Sequence, residues 1–138
     1  MLEVEVNDDT DAQVSALGAL VGAHEAYRGI PWDGISIVGD FAEGQRSMFG
    51  YVYLSDGSWE AKLPRDSSRS VMKALRRLHD SMSACDGRPW QQCLLQIHRN
   101  AEAATIEFAY EMPRRWVVSA NDVDALAEAL RPSPFRGR

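Results

Sequence analysis

Apolar and polar residues alternate along two neighbouring stretches in the last third of the chain. The two stretches are separated by four polar or small residues, 99–102. Alternation with a period of two over two such runs is typical of an antiparallel hairpin with one buried face. The pattern predicts this hairpin over residues 89–110. Its apolar members are Cys93, Leu95 and Ile97, followed by Ala104, Ile106, Phe108 and Tyr110.

Three other segments show apolar residues at helical spacing. The first predicts a helix over residues 10–28 that starts at the acidic cluster around Asp9 and Asp11. The second follows a cap at residues 66–68 and has one apolar stripe. The third starts at residues 119–122. The apolar positions of the three helices are Val14, Leu17, Leu20 and Val21; Val71, Leu75, Leu78 and Met82; and Val123, Leu126, Ala127 and Leu130.

Strand-forming residues occupy the remaining segments. β-branched and aromatic residues predict strands over 35–41, 48–54 and 59–63, with a hairpin turn at Asp56 and Gly57. Residues 116–118 are predicted as a short further extension. The resulting order is α-βββ-α-ββ-α. It indicates an α+β fold with a single antiparallel five-stranded meander sheet and helices packed on one face. We expect one domain over residues 1–132 and a disordered basic tail over 133–138.

Length and composition agree with a single globular domain. The chain has 138 residues, 45% of them hydrophobic and 25% charged, which is ordinary for such proteins. Its two cysteines are too few for a disulfide framework. The acidic first residues do not resemble a secretion signal, and no apolar run is long enough to span a membrane. We therefore expect a cytoplasmic protein.

Charge is distributed unevenly along the chain. Residues 1–63 carry eleven acidic and three basic side chains, whereas residues 64–138 carry nine acidic and twelve basic ones. The acidic half argues against nucleic acid as a partner and for a basic protein. The alternative is that the acidic surface only keeps the protein in solution.

Candidate chemical groups are few. Cys85, Cys93 and His98 do not have the spacing of a common zinc site. The acids Asp8, Asp9 and Asp11 are better explained by a helix start than by a divalent cation. We therefore expect no metal and no cofactor. The basic helix residues Lys73, Arg76 and Arg77 lack interleaved aromatics, so they indicate a solvated face rather than a nucleic-acid site.

Two further patterns leave alternatives open. His98 and Glu107 are predicted on adjacent strands, facing the same side. They could pair as a base and its orienting group, but an ordinary polar pair is commoner, so we expect no enzyme. In the second predicted strand, the aromatic side and the apolar side could each face the core. If the apolar side packs on the helices, the aromatics line an open, protein-binding face. The aromatic side consists of Phe49, Tyr51 and Tyr53, and the apolar side of Met48, Val52 and Leu54.

Short aromatic motifs recur at defined places in this layout. They are Ile30-Pro31-Trp32 after the first helix, Phe49-Gly50-Tyr51 in the second strand, Pro89-Trp90 after the second helix, and Phe108-Ala109-Tyr110-Glu111 at the end of the last hairpin. With the element order, these motifs resemble the YezG-like family of bacterial immunity proteins, which are antitoxins of polymorphic toxin systems. The resemblance covers roughly residues 10–130.

The resemblance implies a non-enzymatic protein that binds a cognate toxin, frequently a nuclease, and blocks it. An acidic immunity protein can occupy the basic cleft that a nuclease uses for phosphates. We expect a monomer or weak homodimer when free, and no membrane or nucleic-acid partner. The alternative is a secretion chaperone or interaction adaptor, which would usually dimerise. The residues expected to contact the toxin are exposed acids and aromatics: Asp8, Asp9, Asp11, Asp40, Tyr51, Tyr53, Asp56, Glu60 and Glu107.

Overall fold

A computed structural model describes residues 2–86, 89–99, 104–111, 115–118 and 123–132, with the backbone alone for residues 2–9, 85 and 86. The predicted element order, α-βββ-α-ββ-α, is confirmed. Two 3₁₀ turns, Glu25–Tyr27 and Ala42–Gly44, join these elements. The elements are α1 (Leu2–Gly22), β1 (Trp32–Asp40), β2 (Ser47–Leu54), β3 (Trp59–Ala61), α2 (Ser70–Asp86), β4 (Gln92–His98), β5 (Thr105–Ala109) and α3 (Val123–Ala129).

The five strands form one antiparallel sheet in the order β3-β2-β1-β4-β5. Strands β1, β2 and β3 form one meander, and β4 and β5 form a hairpin. The two units meet where Ile37 of β1 lies opposite Leu95 of β4. Helix α2 makes this arrangement possible, since it carries the chain from the edge strand β3 back to the middle of the sheet. The antiparallel α+β fold is therefore as predicted, but the expectation of one continuous five-stranded meander is wrong, because β4 pairs with β1 and not with β3.

One face of the sheet packs against α1 and α2. The predicted stripe of α2 is buried along its whole length, and Met48, Val52 and Leu54 face it, so the apolar side of β2 is the side that meets these helices. Burial of these side chains supplies the main hydrophobic stabilisation of the fold. The fully buried members of this face include Leu17, Val21, Ile35, Ile37, Val52, Val71, Leu75, Leu78, Cys93 and Leu95.

Helix α3 covers the opposite face, so the expectation that all helices pack on one face is wrong for this element. A second cluster of buried residues joins it to the sheet: Val38, Tyr51, Tyr53, Leu94, Ala109, Trp116, Ala127 and Leu130. The strands favour this arrangement because both faces of β1, β2 and β4 carry apolar or aromatic side chains, and such surfaces are stabilised by removal from water.

Hydrogen bonds fix the end of α3 on the sheet. Ser36 donates its hydroxyl to the Leu130 carbonyl, and Gln96 donates to the same oxygen at 2.8 Å. Tyr53 donates its hydroxyl to the Ala127 carbonyl at 2.7 Å. The last carbonyls of a helix lack partners within the helix, so these side chains satisfy them in the interior.

Several predicted boundaries are corrected. Helix α1 begins at Leu2, which places the acidic cluster inside the helix rather than at its cap. Residues 116–118 have no strand structure; Trp116 is buried, while Val117 and Val118 are about half exposed. The predicted cap of α3, residues 119–122, and the basic tail, 133–138, lie outside the described residues.

The predicted cap of α2 is confirmed, and it also connects the two large helices. The Asp66 carboxylate accepts hydrogen bonds from the backbone N–H of Ser70 at 2.9 Å and from the Ser70 and Ser68 hydroxyls. The Nε2 atom of His24, just after α1, lies 3.0 Å from the same carboxylate. These contacts hold the pKa of Asp66 well below its usual range, chiefly through Ser70.

Candidate protein-binding surface

Tyr51 and Tyr53 do not form an open aromatic surface. They lie on the side of β2 away from α1 and α2, but α3 and Trp116 cover them, and their exposed fractions are 2% and 1%. The ring of Tyr51 also packs edge-on against Trp59, with 5.2 Å between the ring centroids. The prediction that Tyr51 and Tyr53 contact a partner is therefore wrong.

Asp40 is also buried. Its carboxylate accepts a hydrogen bond from the Ala42 N–H at 3.0 Å, and the Gln92 side-chain amide donates to it at 3.3 Å. Gln92 in turn bonds the backbone of Arg115 and Trp116. Asp40 belongs to this interior network, so its prediction as an exposed contact residue is wrong.

Asp8, Asp9 and Asp11 lie inside α1 and not at its start, where they were predicted. Asp8 and Asp9 lie within the helix, but their side chains are outside the described part of the structure. Asp11 is exposed, and it lies in the middle of α1. These residues therefore do not mark a helix start, although Asp11 remains accessible.

Glu107 is partly exposed, and its charge is paired. Arg115 donates to its carboxylate at 2.9 Å and also contacts Glu111 at 2.8 Å. The strand register places Glu107 opposite Leu94, four residues before His98. Four strand residues span about 13 Å, so His98 and Glu107 are not the direct cross-strand pair that an acid-base site would need.

Asp56 and Glu60 are exposed as predicted, and both lie at the outer edge of the sheet. Strand β3 pairs with β2 on one side, and no described strand pairs with it on the other. Asp56 is in the turn before β3, and Glu60 is within β3. We call Asp56, Trp59, Glu60 and Ala61 the β3 edge.

The backbone of β3 presents hydrogen-bonding groups outward. Ser58 and Lys62 bond to β2 through their main chains. Strand residues alternate in the direction of their N–H and C=O groups, so Trp59 and Ala61 direct theirs away from the sheet. Trp59 is also partly exposed. The edge can thus pair with an added strand beside a large aromatic side chain.

Hydrogen bonds from Ser58 stabilise the charged form of Asp56. The N–H and hydroxyl of Ser58 bond to Asp56 at 2.9 and 2.6 Å, and the hydroxyl bond is the larger cause of the lowered pKa of Asp56. Asp33, which the sequence analysis missed, lies close by, with the Ser55 hydroxyl 3.4 Å from its carboxylate. Within the described ranges, Asp33, Asp56 and Glu60 form no ion pair. The Asp-Gly turn identified Asp56; nothing in the sequence brings Asp33 to the same end.

The residues of the aromatic motifs have structural roles. Trp90 is fully buried, and its ring packs edge-on against the rings of Phe41 and His79. Gly50 lies in β2 where a Cβ atom would be 2.6 Å from the Ser36 carbonyl oxygen, so a larger residue would displace β1. These two residues therefore stabilise the fold and are not part of a binding surface.

In the parts of the chain that are described, no group of three or more His, Cys, Asp and Glu side chains could hold a metal ion. The helices in those parts are also too short or too polar to cross a membrane. Comparison with known proteins gave no matching family model and no significantly similar curated protein.

Proposed function

We propose that this chain is an immunity protein that binds a cognate bacterial toxin, such as a nuclease, and blocks its active site or substrate cleft. The observation that carries the proposal is the β3 edge, which no described strand covers and which has one partly exposed tryptophan and two exposed carboxylates. The resemblance to the YezG-like family supports it through the short aromatic motifs alone.

The chemistry of the β3 edge suits a basic protein partner. Trp is among the residues that contribute most to protein interfaces. Carboxylates around it favour a partner with clustered Lys or Arg, as in a phosphate-binding cleft, and accelerate association at low salt. An added strand would supply main-chain hydrogen bonds that do not depend on the partner's side chains.

The direct test is co-expression with the product of the adjacent upstream reading frame, scored by cell survival and co-purification. Rescue together with a stable complex would support an immunity protein. Absence of rescue, with a stable homodimer of this chain in solution, would contradict the proposal and favour a secretion chaperone or adaptor.

Variants then test whether the β3 edge makes the contact. Ala61→Pro removes an outward N–H and leaves the bonds to β2 in place, because proline is tolerated where an edge strand faces solvent. Glu60→Lys reverses one carboxylate. Both should weaken the complex, whereas Glu25→Lys, an equal charge change at an exposed residue of the first 3₁₀ turn, should not. Equal affinities for all three variants would exclude the β3 edge as the contact.

A further inference from the structure

Three arginines surround a cleft beside the first half of β2. Arg46, Arg65 and Arg69 line it together with the cap residue Asp66, and its volume is about 430 Å³. This volume lies within the range of small-molecule sites. We call this the arginine cleft. It exists because β3 pairs only with residues 51–53 of β2, which leaves the earlier part of that strand open on this side.

The guanidinium groups of the arginine cleft have no acidic partner in the described residues. Arg46, Arg65 and Arg69 form no ion pair there. Asp66 is the one carboxylate in the lining, and its oxygens face Ser68, Ser70 and His24. Three positive charges and one negative charge leave the cleft cationic, which favours an anion carrying two charges.

The backbone at Arg69 adds an independent observation. Arg69 has a φ of 57°, a conformation that glycine adopts with much less strain. Strained residues of this kind concentrate at binding sites, where the surrounding structure holds them in place. Arg69 lies directly before the first residue of α2, Ser70, and it is one of the residues that line the cleft.

The rest of the cleft lining is partly apolar and partly polar. Met48, Met72 and Pro64 supply apolar surface, and Ser47 supplies a hydroxyl. Arginine binds phosphate oxygens through pairs of parallel hydrogen bonds. Apolar walls beside such a group can hold the organic part of the same molecule.

From this cleft we infer a second binding site, specific for a small phosphorylated molecule. The arginines hold its phosphate group, and the methionine wall contacts its organic part. The site does not depend on the β3 edge or on toxin binding, and its ligand has the opposite charge to the partner proposed for that edge.

The test uses the full chain with inorganic phosphate and adenosine monophosphate as probes, titrated by calorimetry at constant ionic strength. We expect saturable one-to-one binding, tighter for adenosine monophosphate because of the apolar wall. In NMR spectra the methyl signals of Met48 and Met72 should shift, whereas that of the core residue Met82 should not. Binding of inorganic phosphate as tight as that of adenosine monophosphate would show that only the phosphate group is recognised and would overturn the organic part of the inference.

Matched variants separate the site from general electrostatic attraction. Arg65→Gln and Arg69→Gln should each weaken binding about tenfold or more, since each removes charge-assisted hydrogen bonds. Arg77→Gln, an exposed arginine of α2 outside the cleft, should leave binding unchanged. Equal loss in all three variants, or no saturable binding of either probe, would overturn the inference.

Arg69→Gly distinguishes binding from folding. Glycine suits the φ of this residue, so the variant should melt at the same temperature as the parent or higher while losing affinity for the probes. Retained affinity in this variant would show that the Arg69 side chain is not part of the site. A short single-stranded DNA that binds more tightly than adenosine monophosphate would instead indicate a nucleic-acid surface and would contradict a small-molecule site.

Discussion

The two faces of the sheet are covered in different ways. Toward α1 and α2 the strands present almost only apolar side chains, and the helices meet them with continuous apolar stripes. Toward α3 the buried residues include Ser36, Asp40, Gln92 and Gln96, and the covering helix has only seven residues. The first face is held by area removed from water, whereas the second depends on specific hydrogen bonds as well.

This difference affects how each face should respond to substitution. A truncated apolar side chain loses its transfer free energy and leaves a cavity. A removed polar partner leaves a buried N–H or C=O without a hydrogen bond, which costs about 1–3 kcal/mol per group. Three substitutions test this difference between the faces, in order of decreasing expected effect, and a fourth tests the contact between α1 and α2.

Leu75→Ala tests the apolar face. Leu75 is fully buried in the stripe of α2, so we expect a loss of about 2–5 kcal/mol in the free energy of unfolding, measured by urea denaturation. Leu126→Ala on α3 is the matched control, and it should cost less because Leu126 is only partly buried. Equal losses for the two variants would contradict a difference between the faces.

Gln92→Leu tests the polar network of the other face. Its amide group bonds the main chain of Arg115 and Trp116, with 2.7 Å to the Trp116 carbonyl oxygen. We expect a loss of about 2 kcal/mol, because leucine leaves these buried groups without partners. Trp116 fluorescence should shift toward that of an exposed ring. The neighbouring variant Gln91→Leu should have little effect; a similar loss there would show that the amide of Gln92 is not responsible.

Tyr53→Phe tests one hydrogen bond to α3. The substitution removes the bond to the Ala127 carbonyl while keeping the ring, so we expect a loss of about 1 kcal/mol in the free energy of unfolding. Tyr51→Phe is the control, because the Tyr51 hydroxyl has no hydrogen-bond partner among the residues that the structure describes. If thermal melting does not distinguish the two variants, the bond does not fix α3.

The smallest expected effect is on stability at acid pH, and it involves the Asp66 carboxylate, which connects the end of α1 to the start of α2. The pKa of Asp66 is lower in the folded protein than in the unfolded chain, chiefly through Ser70. Its contribution to stability is therefore present above its unfolded pKa of 3.8 and is lost as pH falls below it. Asp66→Asn should lower stability at neutral pH and flatten its decline between about pH 5 and pH 2, as followed by circular dichroism. An unchanged pH profile would contradict this role.

The periodic elements could be predicted from the sequence because their signals are local. The stripe from Val71 to Met82 depends on spacing within one segment, and it is confirmed. The alternation in β4 correctly predicts a strand, but the expectation of a single buried face is wrong, because Gln92, Leu94 and Gln96 on the other face are buried as well. The site was harder to predict. Asp56 and Glu60 are exposed as expected, since turns and edge strands face solvent, but Asp33 reaches the same end of the sheet only through strand pairing.

The class of fold, the order of its elements and the buried stripe of α2 follow from the sequence alone, whereas the side of β2 that faces α1 and α2 does not. The tertiary structure decided that β4 pairs with β1, that α3 buries Tyr51 and Tyr53, and that three arginines share one cleft. The physical reason is the distance along the chain between the residues that interact. Periodicity indicates which side of a segment avoids water. The surface that covers this side can belong to a segment far away in the sequence, as when the Leu130 carbonyl accepts a hydrogen bond from Ser36.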